Sequence, residues 1–147
     1  MKPSQKILGL EANRAWAKRI YAKLLVVAPN LFSISEYAKS KVDGYMDLNL
    51  DVLIATENYR RIALSHYWKH DSGDMIPDPD MEIAVYRDWE MAEALTYQDM
   101  YTYDEVYPVS DGEPDRRYYL HCNAFLEKWL EALAEQGHVL RADSETG

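Results

Sequence analysis

The chain has 147 residues, 48% hydrophobic and 28% charged, with a formal net charge of −9. That is enough length for one domain with a sizeable core, and the composition excludes an intrinsically disordered chain. No apolar run nears the roughly 20 residues that span a bilayer, and the charged start MKPSQKILGLEANRAWAKRI lacks the apolar core of a signal peptide, so a cytoplasmic protein is expected.

The charge is segregated. Residues 1–70 carry 11 Lys/Arg against 6 Asp/Glu, residues 71–115 carry 14 acids against Arg87 alone, and the remainder is close to neutral. Such asymmetry bears on partners rather than on fold. Two outcomes stay open: the acidic segment packs against the basic first helix and is neutralised within the chain, or it faces a partner.

In chain order, Ser4 caps a helix that runs to about Val27, with Ile7, Leu8, Trp16, Ile20, Leu24 and Val27 near one stripe. Pro29 ends it. SISEYAKS reads as a short helix, and Asp43–Gly44 as a turn. Residues 45–54 alternate strictly, placing Met46, Leu48, Leu50, Val52 and Ile54 on one side and Tyr45, Asp47, Asn49 and Asp51 on the other. A second strand points Ile62, Leu64, His66 and Trp68 inward, with Asp47 or Asp51 expected opposite Arg61 or Lys69. DSGDMIPDPD reads as a proline-stiffened loop, MEIAVY as a third strand, and RDWEMAEALTYQ as a fourth after a tight turn at Arg87–Asp88. That last stretch conflicts with its own helix propensity. Residues 99–115 read as irregular, and a closing helix from about 115 to 136 buries Cys122, Phe125, Leu126, Trp129, Leu130 and Leu133 before a Gly137 cap. The expected fold is α+β: an antiparallel sheet of about four strands with an N-terminal and a C-terminal helix on one face, a two-layer sandwich over residues 1–140 with a frayed tail at 141–147.

Motifs with mechanistic content are missing: no glycine-rich phosphate loop, HExxH, paired CxxC or GxSxG. The single cysteine, Cys122, sits at helical apolar spacing and reads as a structural thiol; alone it makes neither a disulfide nor a cysteine-rich metal site. No cofactor is expected. His66 and His70, with Asp71 and Asp74, are weak metal candidates, since alternate positions of a strand share a face; a satisfied core histidine is the competing account. Glu90 and Glu93 are the carboxylate pair with acid–base potential if burial separates them.

The tyrosines shift the balance toward binding. TYQDMYTYDEVYP interleaves Tyr97, Tyr101, Tyr103 and Tyr107 with Asp99, Asp104 and Glu105. Tyrosine supplies contact area at little entropic cost, and carboxylates between such rings suit a basic partner. The candidate partner-binding residues are Asp78, Asp80, Asp99, Tyr101, Tyr103, Asp104, Glu105, Tyr107, Asp111 and Glu113. The partner expected is a basic protein or nucleoprotein surface; direct nucleic-acid binding is disfavoured by the sign of the charge. A homodimer through an exposed sheet edge is a further option, and a small metal- or carboxylate-dependent enzyme at His66, His70, Asp71 and Asp74 is the alternative class.

IAVYRDWEMAEA resembles a stretch of the YqiB-like family of uncharacterised bacterial proteins. Tyr86, Asp88, Met91, Ala92 and Glu93 fit its pattern, and Arg87 stands where that family usually has histidine. NAFLEKWLEALAEQG resembles its closing helix, through Asn123, Phe125, Leu126, Trp129, Leu130 and Gly137. HYWKHDSGDMIPDPDME is similar to a second uncharacterised group from bacteria and their mobile elements. The resemblance implies one intact domain closed by a helix that Trp129 packs. It implies no activity, and the mobile-element setting raises the expectation of a role such as inhibiting a host defence system.

Overall fold

Alternating burial along the central strands sets the architecture. The computed structural model describes residues 10, 12–69, 72–109 and 112–142. Helix α1 (Arg14–Val27) leads through a 3-10 turn (Leu31–Ser33) into strands β1 (Tyr37–Ser40), β2 (Leu48–Ala55), β3 (Tyr59–Lys69) and β4 (Met75–Tyr86). Three short strands, β5 (Met91–Ala94), β6 (Thr96–Gln98) and β7 (Tyr103–Glu105), precede helix α2 (Arg116–Gln136). The sheet is antiparallel, ordered β1–β2–β3–β4–β6–β7, and β5 also pairs with β4.

Leu48 and Leu50, Ile62 and Leu64, Met81, Ile83 and Val85 point to one face and are buried. Ile20, Leu24 and Val27 of α1 and Cys122, Leu126, Trp129, Leu130 and Leu133 of α2 join them in one core. The intervening residues of β1 to β4, among them Asn49, Asp51, Arg61 and Glu82, form the other face.

The α+β fold with an N-terminal and a C-terminal helix is as expected, but about four strands was too few: there are seven among the described residues. The predicted short helix over residues 33–40 is replaced by the 3-10 turn and β1, because Ala38 and Ser40 alternate into the core opposite Leu50 and Leu48. The expected loop at 71–80 is largely the first half of β4. Pro79 falls where the register shifts between Ser65↔Asp80 and Tyr67↔Pro77, and Pro77 stands at the edge of that irregularity, opposite Tyr67. β7 lies in the stretch read as irregular. The turn at Arg87–Asp88 is present, closed by Glu90 N–H donating to the Arg87 carbonyl, and residues 91–94 are strand as expected. There pairing to β4 overrides the intrinsic helix preference of Met–Ala–Glu–Ala. Ser4 and residues 143–147 of the expected tail lie outside the described residues.

Helix α2 starts where Asp115 accepts hydrogen bonds from the Arg117 and Tyr118 N–H groups and ends at Gly137, whose φ of 94° suits glycine. The following segment turns back onto the fold. His138 Nδ1 meets Ser40 Oγ at 2.9 Å, Val139 N–H donates to the same oxygen, and Leu140 N–H donates to the Val27 carbonyl.

The two helices are fastened by Glu127. It accepts from Trp16 Nε1 at 2.9 Å, Arg19 Nε at 3.0 Å and Lys23 Nζ at 2.6 Å, and Lys23 also reaches Glu131 at 2.5 Å. The Arg19 guanidinium, aided by Lys23 and Trp16, holds the Glu127 carboxyl at about 2 against the opposing effect of burial. A carboxyl held below its ordinary 4.5 stabilises the fold above that pH, and the contribution disappears as pH falls toward 2. Glu127→Gln is therefore expected to lower stability by about 2 kcal/mol at neutral pH. Urea titrations at pH 7 and pH 3 should give a variant whose deficit shrinks at the lower pH.

Candidate functional site: the open face of the sheet

The face opposite the helices is polar, acidic and studded with tyrosines. β1 contributes Tyr37 and Lys39, β2 Asn49 and Asp51, β3 Arg61, Ser65 and Tyr67, β4 Asp80 and Glu82, and β7 Tyr103 and Glu105. Two-residue alternation puts each of these opposite a buried neighbour, so the polarity follows from the strand pattern.

Its charges are unevenly compensated. Arg61 is paired with Glu82, Nε to Oε1 at 2.7 Å, rather than with Asp47 or Asp51 as expected; Asp51 stands opposite Ala63 instead. Lys39 and Lys41 both approach Asp47, at 3.9 and 3.8 Å. Among the described residues no ion pair reaches Asp51 or Asp80. Burial and the nearby Asp80 raise the pKa of Asp51. Burial and Glu82 raise the pKa of Asp80, opposed by the Tyr67 hydroxyl, which donates to it at 2.7 Å. The Tyr67 phenol is pushed up to about 12, first by burial and then by Asp80. A depression of about 290 Å³ opens between Tyr37 and Tyr67 on this face.

The first helix does not neutralise this surface. Arg19 and Lys23 are taken by Glu127 and Glu131, and Lys18 donates to the Trp89 carbonyl.

The residues expected to bind a partner are divided by the fold. Asp80, Tyr103 and Glu105 share the open face. Asp78 and Glu113 are exposed, and Tyr101, at 88% exposure, is the freest of the tyrosines named. Asp104 stands opposite Tyr97, whose ring packs on Phe125 of α2, and so belongs to the helix side. Asp99 organises its own turn. Its carboxylate accepts from the Tyr101 and Thr102 N–H groups and from the Tyr97 hydroxyl, and these bonds, the Tyr97 one foremost, lower its pKa. Tyr107 corrects the expectation: it is buried and donates to Glu93 Oε1 at 2.7 Å, so it is no contact residue. Asp111 lies outside the described residues.

Of the weak metal set, only His66 and Asp74 lie among the described residues. His66 is buried on the helix side, its ring edge-on to Trp129 at 5.5 Å and its Nδ1 2.9 Å from the Asp47 carbonyl oxygen. Asp74 is exposed in the β3–β4 loop beside Ser72. His70 and Asp71 lie outside the described residues, and no group of three ligating side chains occurs among the described ones. Cys122 is buried, and burial raises its thiol to about 12, which suits a structural residue. Glu90 and Glu93 are also parted. Glu90 is exposed at a turn with φ 52°, whereas Glu93 is 0% exposed on β5.

Tyr37, Asp51, Tyr67 and Glu82 were absent from the expected site. Strand alternation, which already placed Asp51 on the wet side, was the signal that would have found them.

Fold and open face together define an α+β domain whose antiparallel sheet is dry on one side and acidic on the other. The chain belongs to the family described as Domain of unknown function (DUF6908), whose model matches residues 18–139. No curated protein and no solved structure matches it. Among the described residues no helix is long and apolar enough to cross a membrane.

Two outcomes follow from the buried polar groups. Tyr107→Phe removes a donor to a fully buried carboxylate and should cost about 1–3 kcal/mol, measured by chemical denaturation. His138 is 1% exposed, 5.9 Å from His66 between ring centres, and its pKa is lowered from 6.5 by burial and then by His66, partly offset by the Met46 backbone and Asp47. A histidine held neutral stabilises the fold above pH 6.5 and withdraws that contribution as pH falls below it. The melting temperature should decline from pH 7 to 5, and His138→Gln should flatten the decline.

Proposed function

We propose that this protein is a non-enzymatic, cytoplasmic binding domain whose acidic, tyrosine-bearing face engages a basic surface on a protein or nucleoprotein complex. One observation carries the reading: Arg19 and Lys23 of α1 are held by Glu127 and Glu131 of α2 and Lys18 by the Trp89 carbonyl, so these cations do not offset the carboxylates of the open face. Uncompensated charge beside exposed aromatic rings suits recognition of a basic surface, steering the encounter at long range and anchoring it on tyrosine.

The likeness of residues 83–94 to the YqiB-like family, and of 66–82 to a group from bacteria and their mobile elements, belongs to this proposal. It directs the search for a partner toward bacterial defence and nucleic-acid-binding complexes, which the domain would inhibit by occupying their basic surface. The enzyme alternative is weaker, because His66 is turned into the core.

The test is affinity capture from bacterial lysate at low and high salt, run beside a variant carrying Asp78→Lys, Glu105→Lys and Tyr101→Ala. These positions are exposed; Asp99 is left intact because it holds its turn. A partner retained by the native chain, released by salt and lost by a variant with an unchanged circular dichroism spectrum is the expected result. Capture that is insensitive both to salt and to these substitutions would overturn the reading.

A further inference from the structure

Among the described residues, no strand pairs with the outer side of β1 or of β7, the two ends of the sheet. An antiparallel ladder bonds alternate residues, and its phase fixes which backbone groups face outward. On β1, the Val52 N–H donates to the Glu36 carbonyl. In the same register Ala38 and Ser40 are the residues bonded to β2, and Tyr37 and Lys39 turn their N–H and C=O groups away from it. On β7, the Asp99 N–H donates to the Thr102 carbonyl and the Val106 N–H to the Leu95 carbonyl. Asp104 therefore belongs to the bonded phase, and Tyr103 and Glu105 face outward.

The two edges match. Each presents a tyrosine and, two residues on, a charged side chain, and all four side chains lie on the open face and are exposed, Tyr37 by 44% and Tyr103 by 53%. The charges are opposite. Lys39 meets Asp47 only at 3.9 Å, with both side chains 40% exposed, and among the described residues no ion pair reaches Glu105. Each edge is also short, four residues on β1 and three on β7, so their spans are alike.

We propose that the chain associates head to tail with a second copy of itself, β1 of one copy adding to β7 of the next and continuing the sheet. Within a copy β1 and β7 run in opposite directions, so the joint is antiparallel when the helices of both copies stay on one side. A register that sets Lys39 beside Glu105 pairs the charges across it. The symmetric dimers are opposed: joining two β1 edges brings Lys39 against Lys39, and joining two β7 edges brings Glu105 against Glu105. A lysine on a short edge strand deters pairing with its own kind, and here an acidic edge on the same molecule is the exception it admits. A contact between unlike edges does not close on itself, so the product is an open row rather than a dimer. The strands involved bury far less than a standard interface, so the association is weak, with a Kd of about 0.1–1 mM.

The test is sedimentation velocity of the purified full chain at low salt, from tens of micromolar to about 1 mM, with no other protein present. The weight-average mass should climb with concentration without levelling at a dimer, and should return to the monomer in high salt. Lys39→Glu makes both edges acidic and Glu105→Lys makes both basic, so each variant alone should stay monomeric. Mixed in equal amounts the two should associate again, which damage to the fold by either substitution would not produce. Tyr103→Pro removes an outward N–H and leaves both charges, and it too should abolish association. Circular dichroism checks that each variant is folded; should Tyr103→Pro fail to fold, the mixed pair decides alone. A monomer at every concentration, a mass that levels at a dimer, or single variants that associate as the native chain does would overturn the proposal. The readout uses no docking partner, so its outcome is separate from that of the capture experiment on the acidic face.

Discussion

Glu127 draws the positive charge of α1 into the helix layer. One carboxylate accepts from Trp16, Arg19 and Lys23, residues spaced along a single helix, and so sets how α1 lies against α2. Because both partners belong to the layer that covers the sheet, the attraction holds that layer together and takes nothing from the far side. The open face keeps its own cations, Arg61 on Glu82 and Lys39 and Lys41 beside Asp47, and its remaining carboxylates are not offset by Arg19 or Lys23, which are held in the helix layer.

That division also explains where polar groups are tolerated. On the dry side, Asn123 accepts from the Ala94 N–H and donates to the Tyr119 carbonyl, and His66 rests on the Asp47 carbonyl, so both are anchored by the backbone. On the wet side, Asp80 near Asp51 accepts from the Tyr67 hydroxyl, and among the described residues no ion pair reaches either carboxylate. Burying a polar group without partners is costly, and the open face keeps this arrangement because water still reaches part of it. The same partial exposure gives an incoming cation something to gain there.

Much of the fold was legible because its signals are periodic. The alternation of Leu48, Leu50, Ile62 and Leu64, the stripe on α2 and the Gly137 cap are local patterns with one physical reading each. β7, β1 and the first half of β4 were not legible. They are short, or carry prolines, and exist because a neighbouring strand offers pairing; that information lies in tertiary context rather than in residues 37–40, 75–80 or 103–105. The candidate site divides similarly. Asp80, Tyr103 and Glu105 were found by composition. Tyr107 was misassigned because tyrosines at alternate positions look alike until Glu93 claims one of them. Asp51 and Tyr67 were overlooked because attention went to the densest acidic run, whereas the face is assembled from five strands.

The segment after Gly137 gives the chain an unusual order of assembly. Ser40 meets Val139, Val27 meets Leu140 and Trp16 meets Glu127 across 99, 113 and 111 residues of sequence. Closing loops of that length is entropically slow, and it cannot begin until both ends exist. A ribosome making this protein must release the chain as far as Leu140 before α1 and β1 find their final neighbours. During that interval the apolar face of the sheet is uncovered, which makes the nascent chain a client for whatever shields exposed strands in the cell.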